Sequence, residues 1–135
     1  DKLPIFRTRR VYNFSYLYDF FSSYKKFFVL PKQSKEADTQ WLAFPLTIKD
    51  GSPFSRLDIV TYLEHNNIQT RPIFTGNILK QPGFKKIPHR ILDNKCPVTN
   101  GIMERGLIVG CHHGMTKDHL RKLEQVFSSF LKKYS

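Results

Sequence analysis

The chain is poor in sulfur: its 135 residues include two cysteines and two methionines. Cys96 and Cys111 cannot form a disulfide framework, so a packed core must hold the fold, and reduced thiols in a cytosol are the expectation. Acidic residues are also scarce, 11 Asp and Glu against 22 Lys and Arg. No run approaches the ~18 consecutive apolar residues of a membrane-spanning helix. The opening DKLPIFRTRR lacks the apolar centre of a signal peptide, and a cytoplasmic protein with no membrane segment is expected. Glycine-rich loops of P-loop or Rossmann spacing are missing. No nucleophile stands beside a base, and no lysine sits in an apolar run that would depress its pKa for Schiff-base work. No catalytic residue is assigned in this chain.

Aromatic side chains, by contrast, are plentiful. They make up 14% of the chain and hydrophobic residues 40%, which argues for a folded globule. The length suits one domain with a real core but is short for a complete cofactor enzyme. The positive excess invites a nucleic-acid or acidic-polysaccharide reading. Its residues are scattered, at Arg7, Arg9, Arg10, Lys25-Lys26, Lys85-Lys86 and Lys132-Lys133, with no continuous stripe. A dispersed positive surface is usually a solvated one, and the same field would favour a diphosphate-bearing ligand. A free-standing basic binding module is therefore the alternative reading, and nucleic acid is not the expected partner.

Spacing predicts the order α-β-α-β-(α)-β-α. Val11 to Phe28 reads as a helix apolar on two sides, with Val11, Phe14, Leu17, Phe21 and Tyr24 on one face and Tyr12, Tyr16 and Phe20 on another. Gln40 to Ile48 alternates as a strand, and Pro45 implies an edge or a bulge there. Ser55 caps a helix with Asp58 at its third position, and Leu57, Val60, Tyr62 and Leu63 supply its apolar positions. Ile68 to Phe74 is the next strand, and Thr75 to Asp93 a long loop of the kind that is usually functional. Cys96 to Glu104 reads as a short helix and Gly106 to Cys111 as a buried strand. Thr116 caps a last helix whose stripe is Leu120, Leu123, Val126, Phe127, Phe130 and Leu131. The fold class is α/β, a small sheet of about three strands backed on one face by the first and last helices.

Two clusters carry polar chemistry. Arg71, Asn77, Lys80 and Gln81 crowd a segment broken by Thr75-Gly76-Asn77, where Gly76 permits close backbone approach. Such a segment suits an anionic, polyhydroxylated ligand. Cys111, His112, His113 and His119 lack the paired spacing of a zinc site, so no metal is assigned. His112 and His113 fit a strand-to-helix turn, either purely structural or facing an anion or cofactor edge.

The segment Gln69 to Phe84, QTRPIFTGNILKQPGF, also carries a resemblance. It falls in order with R-V-Y-N-F-S-Y-L at Arg10 to Leu17, W-L-A-F-P-L at Trp41 to Leu46, F-S-R-L-D-I-V-T-Y-L-E at Phe54 to Glu64, and H-H-G-M-T at His112 to Thr116. Together these resemble the C-terminal small domain of the DegT/DnrJ/EryC1/StrS family of pyridoxal-phosphate (PLP) sugar aminotransferases and dehydrases. The pattern T-R-x-x-F-x-G-N-x-x-x-Q-P-x-F is most similar to the nucleotide-4-keto-6-deoxyhexose 3-dehydrase branch, which serves deoxysugar and lipopolysaccharide biosynthesis. Two positions depart from the family. Asn66-Asn67-Ile68 stands where Gly-Ile is common, and Asn tolerates the left-handed conformation that ends a helix. Lys80 stands where the branch often has Arg, a point charge in place of a planar fork.

The resemblance implies that residues 1–135 are one domain of a larger enzyme, with the fold of the small domain of fold-type I PLP-dependent transferases. PLP or pyridoxamine phosphate would be held mainly by a large domain, where a Lys or a His separates aminotransferase from dehydrase. The substrate would be a nucleotide-diphospho-sugar, and the enzyme a homodimer. Arg71, Gly76, Asn77 and Lys80 would contact substrate, and His112 and His113 substrate or cofactor. Trp41, Phe44, Tyr16 and Phe20, with the connecting helix at 1–28, would meet the large domain.

Overall fold

The computed structural model describes residues 1–91 and 96–135. Helix α1 spans Leu3–Ser22, earlier at both ends than aromatic spacing predicts. Pro4 lies in its first turn, where the missing N–H has no intrahelical partner to lose. The chain then turns at residues 23–27 and adds a two-residue strand, β1 (Phe28–Val29). Phe27 and Phe28 follow Phe20 and Phe21 by seven residues, a helical interval that conceals the turn between them.

Next come β2 (Ala43–Ile48), α2 (Arg56–His65), β3 (Thr70–Pro72), α3 (Pro97–Arg105), β4 (Gly106–Gly110) and α4 (Lys117–Leu131). The sheet has four strands rather than about three, in the order β1-β2-β4-β3, with every neighbouring pair antiparallel. The extra strand is β1, which the sequence hid at the end of a helix. Strand β2 is an inner strand, so Pro45 does not mark an outer edge. It is tolerated because β1 reaches only Thr47 and Ile48, leaving β2 bare on that side at Pro45.

Alternation along β2 sends Phe44, Leu46 and Ile48 inward, and β4 adds Leu107 and Val109 opposite them. Helix α1 contributes Leu17 and Phe21, α2 contributes Ile59 and Leu63, and α4 contributes Leu120, Leu123, Phe127, Phe130 and Leu131. These form one core on one sheet face. Each fully buried Phe, Leu or Ile there contributes about 1.5–3 kcal/mol. Phe21 lies at the centre, stacked on Phe44 at 5.3 Å and edge-on to Phe127 at 4.8 Å.

The helix starts follow local chemistry. Ser55 and Asp58 form the expected reciprocal capping box on α2. Thr116 caps α4, and its box is completed by His119 rather than by an acidic residue. On α2 the buried positions are Ile59 and Leu63, whereas Leu57 is exposed, so its apolar face is rotated from the predicted one. At its end Asn67 takes φ +57, the left-handed conformation expected of an Asn there. The loop expected from Thr75 to Asp93 contains single turns of 3-10 helix at Ile78–Lys80 and Pro82–Phe84, and its last two positions lie outside the described residues.

Candidate functional site

Arg71, Gly76, Asn77 and Lys80 come together around α3. Strand β3 pairs Pro72 with Leu107, which delivers the following segment to the start of β4 and the end of α3. Gly76, at φ +63, lies so close to α3 that an added Cβ would stand 2.5 Å from the Met103 side chain. The close approach that glycine permits is therefore made to the domain itself. Asn77 is buried. Its carbonyl oxygen accepts from the Leu79 N–H at 3.0 Å, and its amide donates to Asn100 at 2.9 Å. The carboxamide thus holds the loop on α3 through one donor and one acceptor. Lys80 pairs with Glu104 at 3.8 Å with both side chains exposed, a contact worth little in energy.

Arg71 is different. It is exposed, and among the described residues it forms no ion pair or hydrogen bond. In the register it lies opposite Ile108, itself opposite Pro45, so it belongs to the half-exposed row of the sheet. It lines a groove of about 550 Å³ between α2 and β3, with Arg56, Glu64 and Glu104. Arg56 is committed to the carbonyl oxygens of Met103 and Gly106 at 2.7 and 3.3 Å. Glu64 accepts from the hydroxyl and the N–H of Thr70, and those bonds, with a smaller contribution from Arg71, hold its carboxyl below the usual value. Arg71 is left as the groove's uncommitted cation.

His112 and His113 lie elsewhere. They follow β4 at its far end, roughly 15 Å along the strand from the residues that meet Pro72, so they do not join Arg71. His113 stacks on Phe6 of α1 at 3.7 Å, with the Arg10 guanidinium 3.3 Å from its Nδ1. Burial, then the charges of Arg10, His112 and Arg9, push its pKa down. His112 accepts the Gly114 N–H at 3.1 Å and lines a separate groove with Met115 and His119. Among the described residues no group of three or more His, Cys, Asp or Glu is placed to hold a metal ion.

Of the residues expected at a domain interface, Phe44 is wholly buried in the core and cannot be touched by another domain. Its burial follows from the inward alternation of β2. Tyr16 is half-buried, and its hydroxyl donates to Glu124 on α4. Phe20 packs on Phe21 and Tyr24, and Trp41 stacks on Phe14 at 4.2 Å. Of the second aromatic face of α1, Tyr16 and Phe20 are thus partly covered by this domain. What stays open is its first half, where Leu3, Ile5, Val11 and Tyr12 are exposed. Sequence reasoning also passed over Phe74, which stands 87% exposed at φ +47. The sequence reads it only as the end of a strand.

These features sit on a fold with known relatives. The family model described as the DegT/DnrJ/EryC1/StrS aminotransferase family matches residues 1–128. The chain belongs to that family. It is 32% identical over 130 residues to the lipopolysaccharide biosynthesis protein RfbH of Salmonella typhimurium, covering 96% of this chain and 30% of RfbH. It is 30% identical over 122 residues to the GDP-4-keto-6-deoxy-D-mannose 3-dehydratase of Yersinia pseudotuberculosis, covering 90% of this chain and 30% of that protein.

Among solved structures, the E. coli GDP-4-keto-6-deoxy-D-mannose-3-dehydratase with bound hydrated PLP superposes with a TM-score of 0.82 at 29% identity, over 93% of this chain and 31% of that one. An aminotransferase from Psychrobacter cryohalolentis reaches 0.85 at 15% identity, over 98% and 36%, a likeness of fold alone. The chain thus spans about a third of the length of these relatives. Its described lysines are all exposed, and the residues present do not make a PLP pocket of their own. No helix is long and apolar enough to cross a membrane among the described residues.

Proposed function

We propose that this chain is the small, C-terminal domain of a cytoplasmic, homodimeric PLP-dependent enzyme acting on a nucleotide-linked 4-keto-6-deoxyhexose, by 3-dehydration or amination, in deoxysugar or lipopolysaccharide biosynthesis. The carrying observation is near-complete coverage of this chain by relatives named as 3-dehydratases, at 29–30% identity and with the same fold. Arg71 supports it as an exposed cation, unpaired among the described residues, that lines a groove and is suited to a phosphate or carboxylate. The turn beyond it is clamped to α3, so the arginine rides on a rigid frame. The exposed first half of α1 is where the large domain would seat, with Trp41 behind it. PLP, bound elsewhere in the enzyme, would supply the electron sink for chemistry beside the keto group.

The test is product analysis. The full-length protein, given pyridoxamine phosphate and an NDP-4-keto-6-deoxyhexose, should release a sugar that has lost the C3 hydroxyl. Given PLP and an amino-acid donor, an aminotransferase should release an aminosugar. Neither product with CDP-, GDP- or dTDP-linked sugars would reject the proposal. The alternative, a free-standing basic module, predicts RNA or polysaccharide binding that falls steeply with salt.

A further inference from the structure

Phe74 is the most exposed large hydrophobic side chain among the described residues, at 87%. Its backbone lies at φ +47, a region that bulky L-residues rarely occupy. The turn is closed by the Gly76 N–H on the Ile73 carbonyl at 3.3 Å. No aromatic ring stacks on Phe74 among the described residues. The turn is also held firmly: β3 pairs with β4 before it, and after it Gly76 packs against Met103 and Asn77 bonds Asn100 on α3. A strained backbone therefore holds a phenyl ring out in water, on a clamped frame. Neither the strain nor the exposure gains anything inside this domain. Sites that keep such strain are commonly ligand clamps.

The neighbouring charge indicates what covers the ring. Arg71 stands three residues earlier, within about 10 Å along the chain, and is uncommitted, whereas Glu64 and Glu104 each have partners. A π-face and a free cation three residues apart match a planar base joined to phosphates. We propose that Phe74 stacks on the base of the nucleoside diphosphate while Arg71 meets the diphosphate. This rests on the nucleotide-sugar reading above. It adds a specificity element, because the stacking is made to the nucleotide and not to the sugar.

Calorimetric titration of the full-length protein with CDP, GDP, UDP, dTDP and inorganic pyrophosphate tests this. Wild type should bind at least one nucleoside diphosphate better than pyrophosphate. Phe74→Ala should weaken that nucleoside diphosphate roughly ten- to a hundredfold, leave pyrophosphate unchanged, and leave the thermal melt unchanged, because the ring buries nothing. Phe74→Tyr should restore binding. If wild type shows the nucleotide preference and Phe74→Ala keeps it, the stacking role is overturned while the small-domain reading stands. Equal weakening of pyrophosphate by Phe74→Ala would likewise overturn it, as a disturbed loop rather than a lost stack. If wild type binds none of the four nucleotides, both readings fall.

Discussion

The buried carboxamide of Asn13, midway along α1, donates to the carbonyl oxygen of His112 across 2.8 Å. That carbonyl sits in the turn between β4 and α4, beyond the end of the strand. Asn13 occupies the core-facing side of α1 where an apolar residue would be expected, so the bond ties helix to turn. Asn13→Ala should cost about 1 kcal/mol, the worth of one hydrogen bond, because the His112 carbonyl keeps the Met115 N–H at 3.1 Å. Asn13→Asp should cost more, since a carboxylate would face an oxygen with no proton to share. Urea unfolding of the three proteins measures both.

Tyr16 and Glu124 join α1 to α4 through a hydrogen bond that, with burial behind it, raises the Tyr16 pKa. Tyr16→Phe should lose about 1 kcal/mol of folding stability. Tyr16→Glu should lose more, by placing a second carboxylate beside Glu124. A helix whose aromatic face served only another domain would leave stability untouched in both variants.

Much of this fold is legible in the sequence. The caps at Ser55 and Thr116, the stripe of α4 and the alternation of β2 are local patterns, and local patterns determine those elements. The failures have a common cause in side chains serving a partner distant in sequence. Phe27 and Phe28 fit a helical period but are buried from a turn and a strand. Asn77 looks free beside Gly76, and only the arrival of Asn100 on α3 shows that it also holds the loop. Phe74 stands as the F of the T-R-x-x-F-x-G-N pattern, but a strand-like run conceals its positive φ.

Gly76 should tolerate no side chain. Gly76→Ala would strain φ +63 and press Cβ into Met103, and a loss of about 1–3 kcal/mol is expected. Adding Met103→Gly, which removes both the Cβ and the Cγ that stand 2.5 Å from the new methyl, should recover most of the steric part but not the backbone part. A double variant less stable than the sum of the singles would show that the two residues do not collide.

Cys111 is wholly buried, and burial pushes its thiol up to about 12. The folded state keeps the proton that the unfolded state releases near the ordinary value of 9.0. Its contribution to stability is therefore fully present below pH 9 and lost as pH rises toward 12. Unfolding titrations at pH 8 and about pH 10.5 should show less of that decline in Cys111→Val than in wild type. In the native protein a thiol reagent should modify Cys96, which is half-buried, well before Cys111.

Arg71 gives the sharpest separation of binding from folding. It is exposed and unpaired among the described residues, so Arg71→Ala should leave the urea midpoint unchanged. In the full-length enzyme the same change should remove a charge-assisted hydrogen bond to substrate or donor, worth about 1.5–3 kcal/mol. That corresponds to roughly a ten- to hundredfold drop in kcat/KM. Arg71→Lys should recover only part, because an ammonium restores charge but not the planar two-point fork. Native kcat and KM in Arg71→Ala, for nucleotide sugar and amino donor alike, would remove Arg71 from the site and leave the groove between α2 and β3 without its anion-binding group.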